Sequence, residues 1–291
     1  MTGYPQQVLR RLQLTELEIL DVVSEFCSKH QITWWLDSGT TLGAIRHEGF
    51  IPWDDDIDIG MVREDYDRFI ALAETQLPAG YSLHTPQNTD RYPPMFAKVY
   101  KDGTRFLTRE TIDARGQQGI FIDVFPFDRL SMDPNTRKRQ IARARRWQRF
   151  SYLYHSRNVI IPGRSPLVRT IQRSACIVLH GALHILSSED RIKRRYRSVE
   201  DWSRSLASSE YLPLAYPYND PFPYEVLLPT RPCNFEGRKL PVPGKAEEYL
   251  VLMYGDTWSE LPPPEQRKTH APLVLDFGDG TNALETPEKG D

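Results

Sequence analysis

Cysteine is scarce in this chain of 291 residues: Cys27, Cys176 and Cys233 lie far apart, without a Cys-x-x-Cys pair. That excludes a disulfide framework and a zinc knuckle and fits a reducing compartment. No run approaches the roughly 20 apolar residues that a membrane-spanning helix needs. The stretch Met1 to Leu14 carries Gln6, Gln7, Arg10, Arg11 and Gln13 where a secretory signal has an unbroken apolar segment. A cytoplasmic location is expected. Internal repeats and low-complexity tracts are absent as well. The sharpest absence is of acid: Pro134 to Ser188 holds eleven Lys and Arg residues and no Asp or Glu, although the whole chain sums to −2. Such asymmetry points to an anionic neighbour.

Aspartate, by contrast, is crowded at one place. Asp54, Asp55, Asp56 and Asp58 fall within five positions, directly after Pro52 and Trp53 and interleaved with Ile57, Ile59, Met61 and Val62. An acidic surface turn is the ordinary reading of such a run. Here the apolar neighbours belong in a core, where carboxylates side by side are costly unless a cation sits among them. On a strand, alternation puts Asp54, Asp56 and Asp58 on one face and Asp55 on the other. That face is an oxygen cage suited to Mg²⁺ or Mn²⁺. A strand, the Gly39-Thr40 turn and a short helix precede it. This layout is that of a polymerase-like nucleotidyltransferase, in which turn amides face phosphate oxygens and carboxylates hold the bridging metal.

The segment Asp37-Ser38-Gly39-Thr40-Thr41-Leu42-Gly43-Ala44-Ile45-Arg46-His47-Glu48-Gly49-Phe50-Ile51-Pro52-Trp53-Asp54-Asp55-Asp56-Ile57-Asp58-Ile59-Gly60 closely resembles the LicD family, relatives of the fukutin-type transferases. Gly119-Ile120-Phe121-Ile122-Asp123-Val124-Phe125-Pro126 resembles its second acidic strand. The tail from Phe235-Glu236-Gly237 through Pro241-Val242-Pro243 to Tyr254-Gly255-Asp256 resembles its C-terminal block. A motif of this length is far more specific than an isolated Asp-x-Asp. The resemblance implies transfer of a phosphorylated alcohol from a CDP-activated donor to a glycan hydroxyl with release of CMP. In LicD relatives that is phosphocholine placed on teichoic acid or lipopolysaccharide sugars; in fukutin-type relatives it is ribitol phosphate.

On this reading Asp56, Asp58 and Asp123 hold the metal, with Asp54 as a further candidate, and Asp123 ligates it or takes the acceptor's proton. Gly39 and Thr40 donate to phosphate, and Arg46, His47 and Lys98 bind substrate. His47 could instead order the acidic loop, and Lys98 could be an ordinary strand-edge lysine. Trp34, Trp35, Trp53, Tyr216 and Tyr218 are available to enclose a quaternary ammonium. His270 lies in the tail block without an assigned role. Two other classes share features of the chain: a metal-dependent glycosyltransferase, which would release UDP or GDP, and a catalytically silent membrane-surface scaffold.

The expected fold is α+β: a polymerase-beta-like nucleotidyltransferase core, a mixed sheet flanked by helices, with a helical basic insertion and a C-terminal extension. The expected divisions are 1–133 for the core, 134–210 for the basic helices and 211–291 for a block packing back on the core. Thr15 and Glu18 read as a capping box opening a first helix to about Lys29. Ile32 to Leu36 reads as a strand, and Arg63 to Leu77 as an amphipathic helix. Tyr81 to His84, Phe96 to Tyr100 and Ile120 to Phe125 complete a sheet of roughly five strands. Ser188 to Ser208 reads as helical. Tyr211 to Pro232, rich in proline, reads as ordered loop, and the end from about Asp279 as frayed.

Within the basic window, Val168, Ile171, Ala175, Val178, Leu179, Ala182 and Leu186 take one side of a helix and Arg169, Arg173, His180 and His184 another. Two readings stay open: the apolar side packs on the core, or it lies on the anionic inner face of a membrane. Nucleic acid is the other polyanion such a window could meet, but it does not account for the apolar stripe. His180 and His184, without a third ligand or a base, are a weak metal signal.

Overall fold

The computed structural model describes residues 4–156, 166–267 and 269–285, without the side chains of 166–173. Helix α1 (Gln6–His30) starts well before the expected box. Thr15 is no cap, since its hydroxyl donates to the Arg11 carbonyl at 2.9 Å and Leu12 already belongs to the inward stripe. Strand β1 is only Trp35–Leu36, and Gly39 and Thr40, expected in a turn, already lie in the first turn of helix α2 (Ser38–His47). Strand β2 (Asp58–Val62) opens at Asp58, so Asp54 to Ile57 are irregular and strand alternation does not order Asp54 and Asp56.

Helix α3 (Arg63–Gln76) buries Tyr66, Phe69 and Ala73, as its periodicity predicts. Then come β3 (Tyr81–His84), β4 (Ala97–Lys101), β5 (Arg105–Leu107), the short α4 (Arg109–Asp113) and the long β6 (Ile120–Arg129). The main sheet runs β1-β2-β6-β4-β3, with β2 parallel to β6 and the other neighbours antiparallel. Its two faces meet different partners. Ile59, Met61, Ile120, Ile122, Val124, Ala97 and Val99 join α1 and α3 in one core. Val62, Phe96, Phe125 and Phe127 join a second core with the later helices.

Asp133 and Ser188 cap α5 (Pro134–His155) and α7 (Glu189–Arg204), with α6 (Pro166–Leu186) between them. No helix among the described residues is long and apolar enough to cross a membrane. The proline-rich segment is more regular than its composition suggests. Strand β7 (Glu210–Leu212) pairs with the end of β6, β8 (Phe222–Pro223) pairs with β7, and α8 (Tyr224–Leu227) follows, widening the sheet to seven strands. Arg63 reaches across from α3 to Asp128 of β6, two contacts of 2.8 Å, and Glu200 of α7 lies 3.4 Å away. This buried, bidentate junction binds both cores together.

The hairpin β9 (Arg231–Phe235) and β10 (Arg238–Val242) turns at Glu236 and Gly237, and α9 (Ala246–Tyr254) follows. Strand β11 (Val274–Asp276) pairs with β5. The expected fraying does not hold for 279–285: Asp276 accepts from the amides of Gly278, Asp279 and Gly280, and Ala283 donates to Leu275. Residues 286–291 lie outside the description.

Candidate active site

Strand register assembles a row of titratable groups. Asp58 stands beside Asp123 across the parallel β2/β6 pair, Asp123 opposite Lys98 on β4, and Lys98 opposite His84 on β3. Residues so paired share a face of the sheet, here the face of Phe125 and Phe127. Lys98 is not a strand-edge lysine. It is buried on an interior strand, its Nζ 2.6 Å from Asp123 Oδ1 and 3.3 Å from the centroid of the Phe121 ring.

The acids that join this row repel one another. Burial pushes Asp54 up to about 8, with Asp56 and Asp55 adding to the shift. Burial raises Asp56 to about 6, where His270 pulls the other way. Asp58 is held well above the usual carboxylate range by burial and then by Asp56 and Asp123. Asp123 is raised by burial and lowered by Lys98. Glu16 of α1 is buried among the same charges and pushed well above its usual value, and its Oε2 has no partner among the described residues. Groups so arranged accept a proton or a cation.

Asp55 is committed elsewhere, taking 2.8 Å hydrogen bonds from the Tyr4 hydroxyl and the His270 amide. The His270 ring lies 3.4 Å from Asp55 and 3.5 Å from Asp56. Its pKa is raised to about 9, first by the Asp55 hydrogen bond and then by Asp56, so the imidazole is cationic at neutral pH. Among the described residues, the possible ligand atoms within 4.8 Å of one another belong to Asp55, Asp56 and His270 rather than to Asp56, Asp58 and Asp123; His270 could ligate only after losing its proton, and while protonated it acts as a counter-charge to the two carboxylates. The oxygen donors and the orphaned Glu16 oxygen suit a hard divalent cation.

Helix α2 brings its N-terminus to the acids. Asp37 turns inward and accepts from the Tyr249 hydroxyl and Trp35 Nε1, and burial raises it to about 6. Tyr249 also accepts from the Ser38 amide at 3.0 Å, holding Ser38 at a φ of 46°. A left-handed residue leading into a helix turns successive amides toward one point, an anion-binding arrangement. A Cβ at Gly39 would stand 3.1 Å from Asp54 Oδ2, a tight contact to which the Asp54 side chain would have to yield. The Thr40 hydroxyl accepts from the Asp58 amide at 2.9 Å and so ties the helix start to β2, while its amide and its O–H can still donate to a ligand.

Arg46 and His47 are not brought to this end. They lie at the far end of α2, roughly 10 Å from Gly39 along the axis. Arg46 donates to the carbonyls of Trp258 and Glu260, both at 3.1 Å, and to His47 Nε2 at 3.0 Å. Of the aromatic candidates, Trp34 and Trp35 are core, Trp53 lies under Arg267, and Tyr216 and Tyr218 are exposed, edge to face at 4.9 Å. Glu16, Asp37, Tyr249 and His270 escape the sequence reading. For Glu16 a signal existed, since Gln13 and Glu16 are polar residues buried in an apolar helix stripe.

Residues 31–158 match the LicD/FKTN/FKRP nucleotidyltransferase domain. The chain is 30% identical over 275 residues to the lipopolysaccharide cholinephosphotransferase LicD of Haemophilus influenzae, covering 90% of this chain and 95% of that one. Shorter similarities reach the human ribitol 5-phosphate transferase FKRP, 50% over 34 residues, 12% of this chain and 7% of that protein. The human ribitol-5-phosphate transferase FKTN is 38% identical over 56 residues, 19% and 12% of the two chains. All three relatives are named as phosphotransferases. Similarity that runs almost end to end in both chains, and covers the paired acidic strands and the glycine-bearing helix start alike, makes this chain a member of the LicD family of transferase enzymes.

Proposed function

We propose that the protein transfers a phosphorylated alcohol, phosphocholine, from a CDP-activated donor to a hydroxyl of a teichoic acid or lipopolysaccharide precursor, releasing CMP. The observation that carries this reading is the row Asp58-Asp123-Lys98, set in register beside Asp54, Asp56 and the amide-bearing start of α2. It supports a polymerase-beta-like core in which residues 1–133 supply the sheet, 134–210 the basic helices and 211–291 the segments closing over them, as one unit.

Asp56, Asp58 and Asp123 would hold Mg²⁺ or Mn²⁺, with Asp54 beside them. When bound, the ion screens the diphosphate charge that keeps an alkoxide from phosphorus. The amides of Gly39 and Thr40 orient a donor phosphate. Lys98 holds Asp123 Oδ1 and leaves the other carboxylate oxygen to accept the proton of the acceptor hydroxyl. The hydroxyl oxygen then bonds to phosphorus, the bond to the CMP oxygen breaks, and CMP leaves. Tyr216 and Tyr218 offer ring faces to a quaternary ammonium.

The test is incubation of the purified protein with CDP-choline, CDP-ribitol and CDP-glycerol, an acceptor glycan, and Mg²⁺ or Mn²⁺. CMP release with CDP-choline supports the proposal. Release with CDP-ribitol alone corrects the alcohol. UDP or GDP from nucleotide sugars, with no CMP from any donor, would make the protein a glycosyltransferase.

A further inference from the structure

We propose that α6 and the arginine cleft between α5 and α7 form one docking face for an anionic lipid bilayer. The inference stands apart from the transfer reading and uses no residue of the acidic site. It begins with the way α6 is mounted. Its histidines face the end of α5: His180 Nδ1 donates to the Leu153 carbonyl at 2.8 Å, and the exposed His184 donates through Nε2 to the Tyr154 carbonyl at 3.0 Å and stacks on the Tyr154 ring. The apolar side therefore faces out, and packing of that side on the core is ruled out for the described residues. Ile177 is 48% exposed, Val178 71%, Leu179 52%, Ile185 84% and Leu186 71%. At 100° per residue these positions, with Ala175 and Gly181, cover more than half the helix circumference without a charge. So broad an apolar surface is costly in water.

The cations begin where the apolar face ends. Arg191, exposed on α7, donates 2.7 Å to the carbonyl of Leu186, the last residue of α6. Arg195 stands one turn further on. It lines a cleft of about 470 Å³ with Arg139, Arg143 and Arg146 of α5 around Trp147, and no carboxylate is among the lining residues. Arg143 is tied to Ser198, while Arg139, Arg146 and Arg195 have no salt bridge among the described residues. Guanidinium groups beside an indole and an apolar helix are the chemistry of a headgroup and acyl boundary.

A bilayer suits this face better than a second copy of the chain. A second copy would have to cover the apolar side of α6 and also supply carboxylates to these arginines, whereas Pro134 to Ser188 offers no acid and the first turn of α7 offers Glu189, already bound to Lys193, and Asp190. An anionic surface supplies both the apolar phase and the counter-charge, each basic residue near it strengthening binding about fivefold.

The test is vesicle flotation of the full-length protein with phosphatidylglycerol-containing and pure phosphatidylcholine vesicles, at low and high salt. Light scattering reads the lipid-free mass, and circular dichroism checks the fold of each variant. Co-flotation with anionic vesicles, weakened by salt, is expected. The triple variant Arg139→Gln, Arg146→Gln, Arg195→Gln should lose about 100-fold in partitioning, and Val178→Gln with Ile185→Gln should also weaken it. Both variants replace exposed side chains and should stay folded. Equal recovery with both lipids, or no recovery, overturns the proposal. So does a lipid-free dimer that Val178→Gln with Ile185→Gln converts to monomer, which would assign the face to a second copy.

Discussion

Lys98 and Asp123 face each other across β4 and β6 as a buried ion pair, Nζ 2.6 Å from Oδ1. The pair sets how much negative charge the site carries. Asp123 is lifted by burial, and the nearest force pulling it back down is the ammonium.

Replacing Lys98 by Met should therefore raise Asp123 further and leave it protonated more of the time. Turnover at neutral pH should fall at least about 10²-fold, with the acid limb of the rate profile moved to higher pH. Removal of one partner from a buried pair costs about 3–5 kcal/mol, less where the carboxyl can protonate. CMP release against pH and urea unfolding read the two effects. An unmoved acid limb would sever Lys98 from the chemistry.

Asp56→Asn and Asp58→Asn should each abolish turnover, because each removes charge without changing shape. Without metal, both variants should be as stable as the parent or more so, since repulsion is relieved. Near-normal activity at saturating donor and metal would remove that residue from the site.

Asp123→Asn should lower turnover by about 10²- to 10⁴-fold while donor affinity changes little, the expectation for a positioned base. Titration calorimetry with CDP-choline and metal checks it. A variant that no longer binds donor would show that turnover needs Asp123 for its hold on the metal and not for proton transfer.

Metal-free stability should depend on pH in a definite direction. Asp56 and Asp54 titrate in the fold at about 6 and about 8, each raised from 3.8, so over this range the folded state holds protons the unfolded chain has released. Their contribution is complete below 3.8 and lost as pH rises through about 6 and then about 8. The thermal midpoint without metal should fall between about pH 5 and pH 8, less in Asp54→Asn, and Mg²⁺ should restore it more at the upper end. A flat profile would mean that the acids do not repel as described.

The edge strand β3, helix α3 and the paired strands β2 and β6 were legible because each follows a local rule. Tyr81–His84 and Arg63–Gln76 carry their periods plainly, and Asp58 and Asp123 stand out from apolar runs. What stayed hidden depends on residues far apart in the chain. Periodicity shows that α6 has an apolar side but not which side meets α5, and the carbonyls of Leu153 and Tyr154 decide that. The pairing of Tyr211 with Arg129 cannot be read from a proline-rich segment, and Tyr249 comes to Asp37 only through the fold.

That last contact has a consequence for the order in which the protein is made. The acidic loop and the start of α2 are synthesised early, yet Tyr249 and His270 supply the hydroxyl and the amide that hold them. A chain still growing on the ribosome has the carboxylates but not their clamps. Asp37 and Asp55 therefore gain these partners only after Tyr249 and His270 have been added to the chain.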